Sequence, residues 1–542
     1  MLYGNFKKSA QHIDKMLNAQ SREEVLKNRM WLKATIEIVR FLALQGIGFR
    51  GHDESSSSLN RGNFIEVLKC KAEGNDELSS VILDNAPQNA QYIAPSIQKE
   101  VLHILANRVR KMICDEIAGG KYCILVDEAQ DESNTEQLAL VLRYVKHDGL
   151  LMERFFAIEG VENTSVVTLK DAICVTLGRF DLSIQNLRVQ GYDGASNMRG
   201  EWNGLQALFL KDCPFAYYVH CFAHRLQLAL VAAAKDEMNI WQFFSHLTCI
   251  VNLVASSPKR LAELKSFQRD EIACMLSTGE REYDKGANQI GTLHRARATR
   301  WSSHYDSVKD LIDMYNASCR GTGRHFQQPD HITVEHQYHF DIFNSAIDLQ
   351  LMELEHRFNN EVVELLTLSS ALDPSDSFKS FNVEKICNLA EKFYPWDFTG
   401  QDVKTLKFQL MHYQLDVSSD PKFQNISSLT DLSRELVVSK KFEYYALVDR
   451  LIRLVLTLPV STTTTERAFS GMKRVKTAIR SKIGDEFLAD YCTGKLAEVT
   501  GVVPDDTLSL SSVTEATTFF KKLLKAKREG IGALGGGKAG IN

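Results

Sequence analysis

Two aspartates follow short apolar runs that have the composition of buried strands. Asp127 ends the run "YCILVD", and Asp193 comes directly after "NLRVQGY". If these runs form adjacent parallel strands, both carboxylates emerge at the same edge of a sheet. Carboxylate oxygens suit Mg²⁺, and a pair of such ions can stabilise the attacking and leaving oxygens of a phosphoryl transfer. A turn is the simpler interpretation of Asp193, because Asp beside Gly commonly bonds to its own backbone.

The sequence pattern around these acids predicts the α/β layer that would position them. Residues 121–127, 138–145 and 151–158 are β-rich runs separated by polar or glycine-bearing turns, which is typical of a hairpin meander. Helical and strand patterns then alternate through residue 235. The order β-β-β-α-β-α-β-α predicts an α/β fold with the mixed sheet of ribonuclease H-like proteins. Helical periodicity dominates on both sides of this layer.

The overall composition limits the classes of function. Apolar residues make up 44% of the 542 positions and charged residues 24%, which is ordinary for a folded globular protein. Eleven cysteines without paired spacing, and an N-terminus without an apolar signal, favour a reducing compartment. No run approaches the roughly 20 apolar residues of a membrane span, so no membrane partner is expected.

The net charge of −4 hides a local excess of basic residues near the C-terminus. Ten Lys and Arg stand against three acids between Lys440 and Lys482, a local balance of +7. Such a cluster can contact nucleic acid, and Arg467, Lys473 and Arg474 are the candidate residues. From the count alone, a solvated helix face is the simpler interpretation.

Several blocks of the sequence, in order, resemble those of hAT-superfamily transposases. The match is nearest to a subgroup with TTF-type or MYM-type zinc fingers that is abundant in plant genomes. The blocks are "RFLALQGIGFRGHDESSSSLNRGNFIEVL" (40–68), "ILVDEAQDESNTEQLALVLRYV" (124–145), "GYDGASNMRGEWNGLQAL" (191–208), "YYVHCFAHRLQLALVAAA" (217–234), "TRWSSHYDSV" (299–308) and "LVLTLPVSTTTTERAFSGMKRVKTAIRSKI" (454–483).

The resemblance implies a ribonuclease H-like core that is interrupted by an all-helical insertion and completed by C-terminal helices. It also implies an Asp-Asp-Glu site for Mg²⁺ or Mn²⁺, made of Asp127, Asp193 and Glu466, with Asp131 as the alternative to Asp127. The predicted divisions are a helical N-terminal region at 1–120, the first part of the core at 121–237, the insertion at 238–435, the dimerisation region at 436–500, and a partly flexible tail at 501–542.

Two further motifs take their meaning from the same resemblance. Cys221 and His224 match a Cys-x-x-His motif and are expected to pack near the acids, and no zinc site is expected because four ligands are not in view. Trp301 matches a tryptophan that stacks on a flipped base, with Arg300 beside it as a second DNA contact. A half-buried core tryptophan is the alternative interpretation of Trp301.

The C-terminal blocks resemble the hAT dimerisation region, which implies a homo-oligomer. An apolar face in "LVDRLIRLVLTLP" fits a partner chain, and it fits burial inside the catalytic domain equally well. The residues of this face are Leu451, Ile452, Leu454, Val455 and Leu458. DNA as a partner and a nuclear location follow from the resemblance, and no small-molecule substrate is expected.

Three departures from the family bear on activity. Residues 1–39 contain no cysteine, so they hold no zinc finger. The helical insertion is shortened between residues 319 and 331, and the sequence after Tyr491 is unlike the family. These departures favour a transposase-derived nuclear protein that dimerises and binds nucleic acid without transposing. The alternative is an active transposase that cleaves and joins DNA with two metal ions.

Overall fold

The structure is a computed structural model of the whole chain. It describes residues 22–86, 93–200, 203–279, 293–296, 301–319, 342–358, 361–423, 426–477 and 480–496. Among these residues the chain forms two compact units. The first contains the described residues up to Val219, together with Pro374–Lys379 and those from Ala390 onward. The second contains the described residues of His220–Asp373 and Ser380–Leu389.

A five-stranded mixed sheet forms the centre of the first unit. The strands are β1 (Tyr122–Gln130), β2 (Glu136–Val145), β3 (Leu151–Val161), β4 (Leu187–Tyr192) and β5 (Tyr217–His220), in the spatial order β3-β2-β1-β4-β5. β1, β2 and β3 form an antiparallel meander, and β4 pairs parallel to β1. The predicted α/β class with a mixed sheet is therefore confirmed.

The helices of the N-terminal region and the sheet segment follow the predicted periodicity. Pro95 begins the last helix before the sheet, where its missing N–H costs nothing. These helices are α1 (Arg22–Gln45), α2 (Asn63–Glu73), α3 (Asp76–Ser79), α4 (Pro95–Ile117), α5 (Val166–Gly178), α6 (Ser196–Arg199) and α7 (Leu205–Asp212).

Helices make up the regular structure of the described chain after β5. They are α8 (Phe222–Asp236), α9 (Met238–Ala255), α10 (Pro258–Ser277), α11 (Ser302–Cys319), α12 (Asn344–Arg357), α13 (Glu361–Ser369), α14 (Ser375–Phe378), α15 (Val383–Phe393), α16 (Gly400–Ser419), α17 (Leu429–Val438), α18 (Lys441–Tyr444), α19 (Ala446–Leu456), α20 (Thr463–Val475) and α21 (Asp485–Leu496). None of the helices in the described parts of the chain is long and apolar enough to cross a membrane.

The two faces of the sheet are covered by different parts of the chain. Successive strand residues point to opposite faces. Ile124 and Val126 of β1 belong to an apolar core with Leu169 and Ile173 of α5. The other face, which carries Asp127, is covered by α19 and α20 from the C-terminal region. The C-terminal helices therefore complete the fold of the sheet.

One predicted helix is shorter than its periodicity indicated. The pattern from residue 464 to 483 predicts a single helix, whereas α20 ends at Val475 and a separate helix begins at Asp485. Lys476 leaves the helical conformation and places its ammonium group 2.6 Å from Asp131 Oδ2, where both side chains are buried. This buried ion pair between distant segments stops the helix, and a pattern of apolar residues does not show it.

Candidate active site

Asp127 and Asp193 lie on the two adjacent parallel strands. Asp127 is in β1, opposite Ala139 of β2, and Asp193 is the first residue after β4. Leu125 is in register with Gly191, so both strands reach their acids at the same edge of the sheet. Asp193 Oδ1 also accepts a hydrogen bond from Ala195 N at 3.1 Å. Asp193 therefore caps a turn with its side chain and also lies at the same edge of the sheet as Asp127.

Gly191 permits the C-terminal region to approach β4 closely. A Cβ atom at this position would lie 2.7 Å from Leu125 Cδ2 and 3.0 Å from Pro459 Cγ. Pro459 belongs to the turn between α19 and α20. Gly191 is not one of the residues with positive φ, so its backbone conformation does not require glycine. Its function is close packing against Pro459.

The N-terminus of α20 brings the third predicted acid to the same region. Thr465 Oγ1 lies 3.4 Å from Asp127 Oδ2 and donates to Thr462 O at 2.6 Å. Glu466 follows Thr465 in the first turn of the helix, and its side chain is exposed. The helix therefore folds back beside the sheet although Glu466 is 273 residues after Asp193.

The electrostatics show that Asp193 and Glu466 both act on the pKa of Asp127. Burial raises the pKa of Asp127 to about 7, with repulsion from the Asp193 carboxylate next in size and repulsion from Glu466 adding to it. Hydrogen bonds from Glu128 N and Thr465 oppose the shift only in part. A neighbouring cation would relieve this repulsion, since it favours the charged form of a carboxyl group.

The carboxylates are close without being assembled around a single point. Within the residues that the structure describes, no group of three or more His, Cys, Asp and Glu side chains has an arrangement that would hold a metal ion. The donor set of Asp127, Asp193 and Glu466 is nevertheless the oxygen chemistry that Mg²⁺ and Mn²⁺ take. The geometry supplies the ligands and the repulsion, and a bound ion would require the side chains to converge.

A polar cluster on the α20 face of the sheet fixes the turn that carries Glu466. Arg143 of β2 and Glu153 of β3 are cross-strand partners, and their side chains approach to 2.5 Å. Arg143 Nε donates to Leu456 O at 2.9 Å, and the hydroxyl of Thr464 donates to Glu153. We call these four residues the sheet clamp. It holds the end of α19 and the start of α20 against the strands.

Asp131, the alternative to Asp127, has a structural role. Burial alone would raise its pKa, but the Lys476 ammonium and hydrogen bonds from Ser133 and Thr135 hold the pKa of Asp131 at about 2. Gln137 also donates to Asp131 Oδ2 at 3.0 Å. These partners occupy the Asp131 carboxylate, so of the two candidates Asp127 is the one that stays available to a ligand.

Sequence reasoning missed one carboxylate at this edge. Glu128 points to the opposite face from Asp127, where Asn197 Nδ2 lies 3.3 Å from its Oε2. Burial raises the pKa of Glu128 to about 7. The hydrogen bond from Asn197 opposes this shift, and repulsion from Glu136 and Asp193 adds to it. The signal in the sequence was the second acid of "VDE", although strand alternation argues against both acids serving one site.

Other predicted residues lie in the second unit or outside the described chain. Trp301 stacks on His304, with ring centroids 5.0 Å apart, and contacts Phe244 at 6.1 Å. These contacts are those of a half-buried core residue. Cys221 is buried, and the His220 and His224 rings are 5.7 Å apart. Arg300 lies outside the described residues.

The C-terminal basic cluster divides into structural and exposed residues. Lys441 pairs with Asp416 and Asp420, Arg453 with Asp449, and Lys476 with Asp131. The predicted DNA contacts Arg467, Lys473 and Arg474 are all exposed on α20. The charge count therefore overstated the surface that could meet a polyanion, although Lys440, Arg450 and Lys482 of the same cluster are exposed as well.

The apolar face of α19 is buried within the chain. Its five predicted residues are each 2% exposed or less: Leu451, Ile452, Leu454, Val455 and Leu458. α19 packs against α16, α17 and β2. Of the two interpretations of this face, burial in the same domain is the observed one.

The sheet order and the helices returning to it define an RNase-like α/β protein. Residues 2–204 match the family model of the RNase-like domain of ZMYM1 and FAM200 proteins. Residues 438–490 match the hAT family C-terminal dimerisation region. The two matches together support an hAT-like protein derived from a transposase, and they confirm the resemblance of the sequence blocks to that superfamily.

The raised pKa of Asp127 predicts how stability changes with pH. A carboxyl whose pKa is higher in the folded state binds more protons folded than unfolded, so its contribution falls as pH rises from about 4 to about 7. Replacing Asp127 with Asn removes the free-energy cost of ionising this carboxyl group in the folded protein. We expect Asp127→Asn to be more stable than the wild type at pH 8 by up to about 4 kcal/mol, with the difference shrinking toward pH 4. Urea unfolding measures this difference. The exposed Glu132→Gln is the control, and a pH-independent gain for Asp127→Asn would contradict the assignment.

The sheet clamp predicts a large effect of a single truncation. Glu153→Ala would leave the half-buried Arg143 without its carboxylate, at a cost of about 3–5 kcal/mol. The double variant Arg143→Met with Glu153→Leu should recover most of the loss, because it removes both charges. Denaturant unfolding of the two variants tests the pair, and equal destabilisation in both would show that the charges are not coupled.

The ion pair that ends α20 gives an independent prediction. Lys476→Met would leave Asp131 buried and uncompensated, so the free energy of unfolding should fall by about 3–5 kcal/mol. Because the pKa of Asp131 is held at about 2 by its partners, the loss should be smaller at pH 3 than at pH 7. Thermal unfolding at both pH values measures it, with the exposed Lys473→Met as control.

Proposed function

We propose that this protein binds DNA along the exposed face of α20 and self-associates through its C-terminal region, in the nucleus. The observation that carries the proposal is the orientation of α20. Its buried side contains Ala468, Phe469, Met472 and Val475, so its opposite side faces solvent. That side begins with Glu466, beside the two aspartates, and continues with the basic residues Arg467, Lys473 and Arg474.

The basic residues of α20 suit contact with a nucleic-acid backbone. Arg467 and Arg474 are two helical turns apart on the same face, or about 10 Å at 1.5 Å per residue. Arg and Lys contacts to phosphates position the backbone without reading the bases. A strand following the basic face would pass the acidic edge of the sheet at its end. The match to the hAT dimerisation region supports self-association.

The test of DNA binding is its salt dependence. The variant Arg467→Gln, Lys473→Gln, Arg474→Gln should reduce the slope of log affinity against log salt by almost 3, because each phosphate contact contributes about 0.9. Fluorescence anisotropy with a labelled duplex measures the slope.

A matched triple variant controls for net charge. Arg29→Gln, Lys33→Gln, Lys259→Gln removes three exposed cations elsewhere and should leave the slope unchanged. Equal slopes for both triple variants would reject α20 as the binding face.

Cleavage is the second candidate function, and the repulsion that Asp193 and Glu466 exert on the Asp127 carboxylate favours it. These residues would hold Mg²⁺ or Mn²⁺, and bound ions of this kind stabilise negative charge on the attacking and leaving oxygens of a phosphodiester. The Thr465 hydroxyl would orient Asp127, and the sheet clamp would hold α20 at the site.

Metal binding and cleavage can be measured separately. Mn²⁺ should raise the melting temperature of the wild type and leave that of Asp193→Asn unchanged, because ligand binding to the folded state stabilises it. Nicking of a supercoiled plasmid should then require Mn²⁺ or Mg²⁺ and Asp193. A wild type that neither shifts nor cuts would leave DNA binding as the activity of this chain.

A further inference from the structure

α16 carries an apolar stripe that is exposed among the residues the structure describes. Phe408 is 65% exposed, Met411 47% and Leu415 72%. Residues three, four and seven positions apart lie on one side of a helix, so the three side chains form a continuous strip. The opposite side of α16 is buried through Leu406, Leu410, Tyr413 and Val417. The helix is therefore fixed in the domain by one side and presents apolar residues on another.

The stripe adjoins the region that matches the dimerisation model. Asp416, next to Leu415, is bonded by Lys441 at 2.9 Å and by the Tyr445 hydroxyl at 3.1 Å. These two partners flank Tyr444, which is 78% exposed. α16 and the start of the dimerisation region are thus directly joined, and both carry exposed apolar or aromatic residues. The buried apolar face of α19 does not offer such a surface.

We propose that the α16 stripe, which adjoins the matched C-terminal region, is part of the surface through which two copies of this chain associate. The inference rests on the proposed self-association and adds the stripe to the surface of the matched region. Homodimer interfaces are rich in apolar and aromatic residues and poor in charge at their centre. From Phe408 to Leu415 the exposed polar residues are His412 and Gln414, and the exposed charge of Lys404 lies one turn before the stripe.

The spacing of the stripe suits a two-fold axis. In a symmetric dimer, a residue on one copy contacts a second residue on the other, and the reverse contact repeats it. Phe408 and Leu415 stand three positions before and four positions after Met411. Two antiparallel copies of α16 crossing at Met411 would therefore place each Phe408 against the Leu415 of the other copy.

The pairing of unlike positions permits a test by charge reversal and rescue. Phe408→Lys alone and Leu415→Glu alone should each weaken self-association at least tenfold, measured as the concentration dependence of mass in light scattering. The variant that combines both changes should regain dimer, because the axis would place the new opposite charges together. Val175→Glu, an equally exposed apolar position on α5, is the matched control and should stay dimeric.

The outcomes separate this inference from the function on which it rests. A monomeric wild type at micromolar concentration would overturn self-association itself. A dimeric wild type with dimeric single variants would overturn only the α16 surface. Loss of dimer in both single variants without recovery in the combined variant would overturn the antiparallel pairing. Every variant must have the circular dichroism spectrum of the wild type. If a charged variant does not fold, the double variant Phe408→Ala, Leu415→Ala replaces it in the measurement of self-association, and it should also weaken the dimer.

Discussion

The buried pair of Arg143 and Glu153 is the constraint on which the candidate site depends. Two charges within an apolar sheet cost several kcal/mol to desolvate unless further hydrogen bonds satisfy them. Here Arg143 also donates to Leu456 O, and Glu153 accepts from Thr464, so the remaining polar atoms of the pair define where the α19–α20 turn lies. These hydrogen bonds fix the position of a turn that is some 310 residues away in sequence. The next residues, Thr465 and Glu466, therefore lie beside Asp127.

Close packing and a second buried pair complete the same constraint from either end of α20. At its start, the absence of a side chain at Gly191 lets Pro459 rest on β4. At its end, Lys476 pairs with Asp131 beyond the end of β1. The helix is held at both termini by strands that bear the acids, while its exposed side carries no structural contact with the sheet. That division leaves the basic face of α20 available for a ligand and keeps its position fixed.

The sequence was sufficient to predict the elements that depend on a local pattern of residues. The meander, the parallel β4 and Asp193 after its end follow from alternation and from the carboxyl-end rule. Asp127 was expected to end its strand, whereas β1 continues to Gln130 in its pairing with β2. Glu466 was reached only by resemblance, because no local pattern joins residues 193 and 466. The clamp, the Lys476 pair and the packing of Gly191 were not predicted, since each depends on a partner hundreds of residues away. The sequence signal of the sheet clamp was a charged residue inside each of two apolar strands, Arg143 in "LVLRYV" and Glu153 in "LMERFF".

The acidic edge and the basic face would impose opposite demands on a strand of DNA bound as proposed. Arg467, Lys473 and Arg474 would attract phosphate, whereas a phosphate beside Asp127 and Asp193 would add a third negative charge to a site where burial and repulsion already raise the pKa of Asp127 to about 7. Either a proton or a divalent cation would have to compensate that charge before the backbone could reach the sheet. A cation would both admit the phosphate and supply the chemistry of cleavage, whereas a proton would admit it without that chemistry. The species that neutralises Asp127 would therefore decide between the two proposed functions, DNA binding and cleavage.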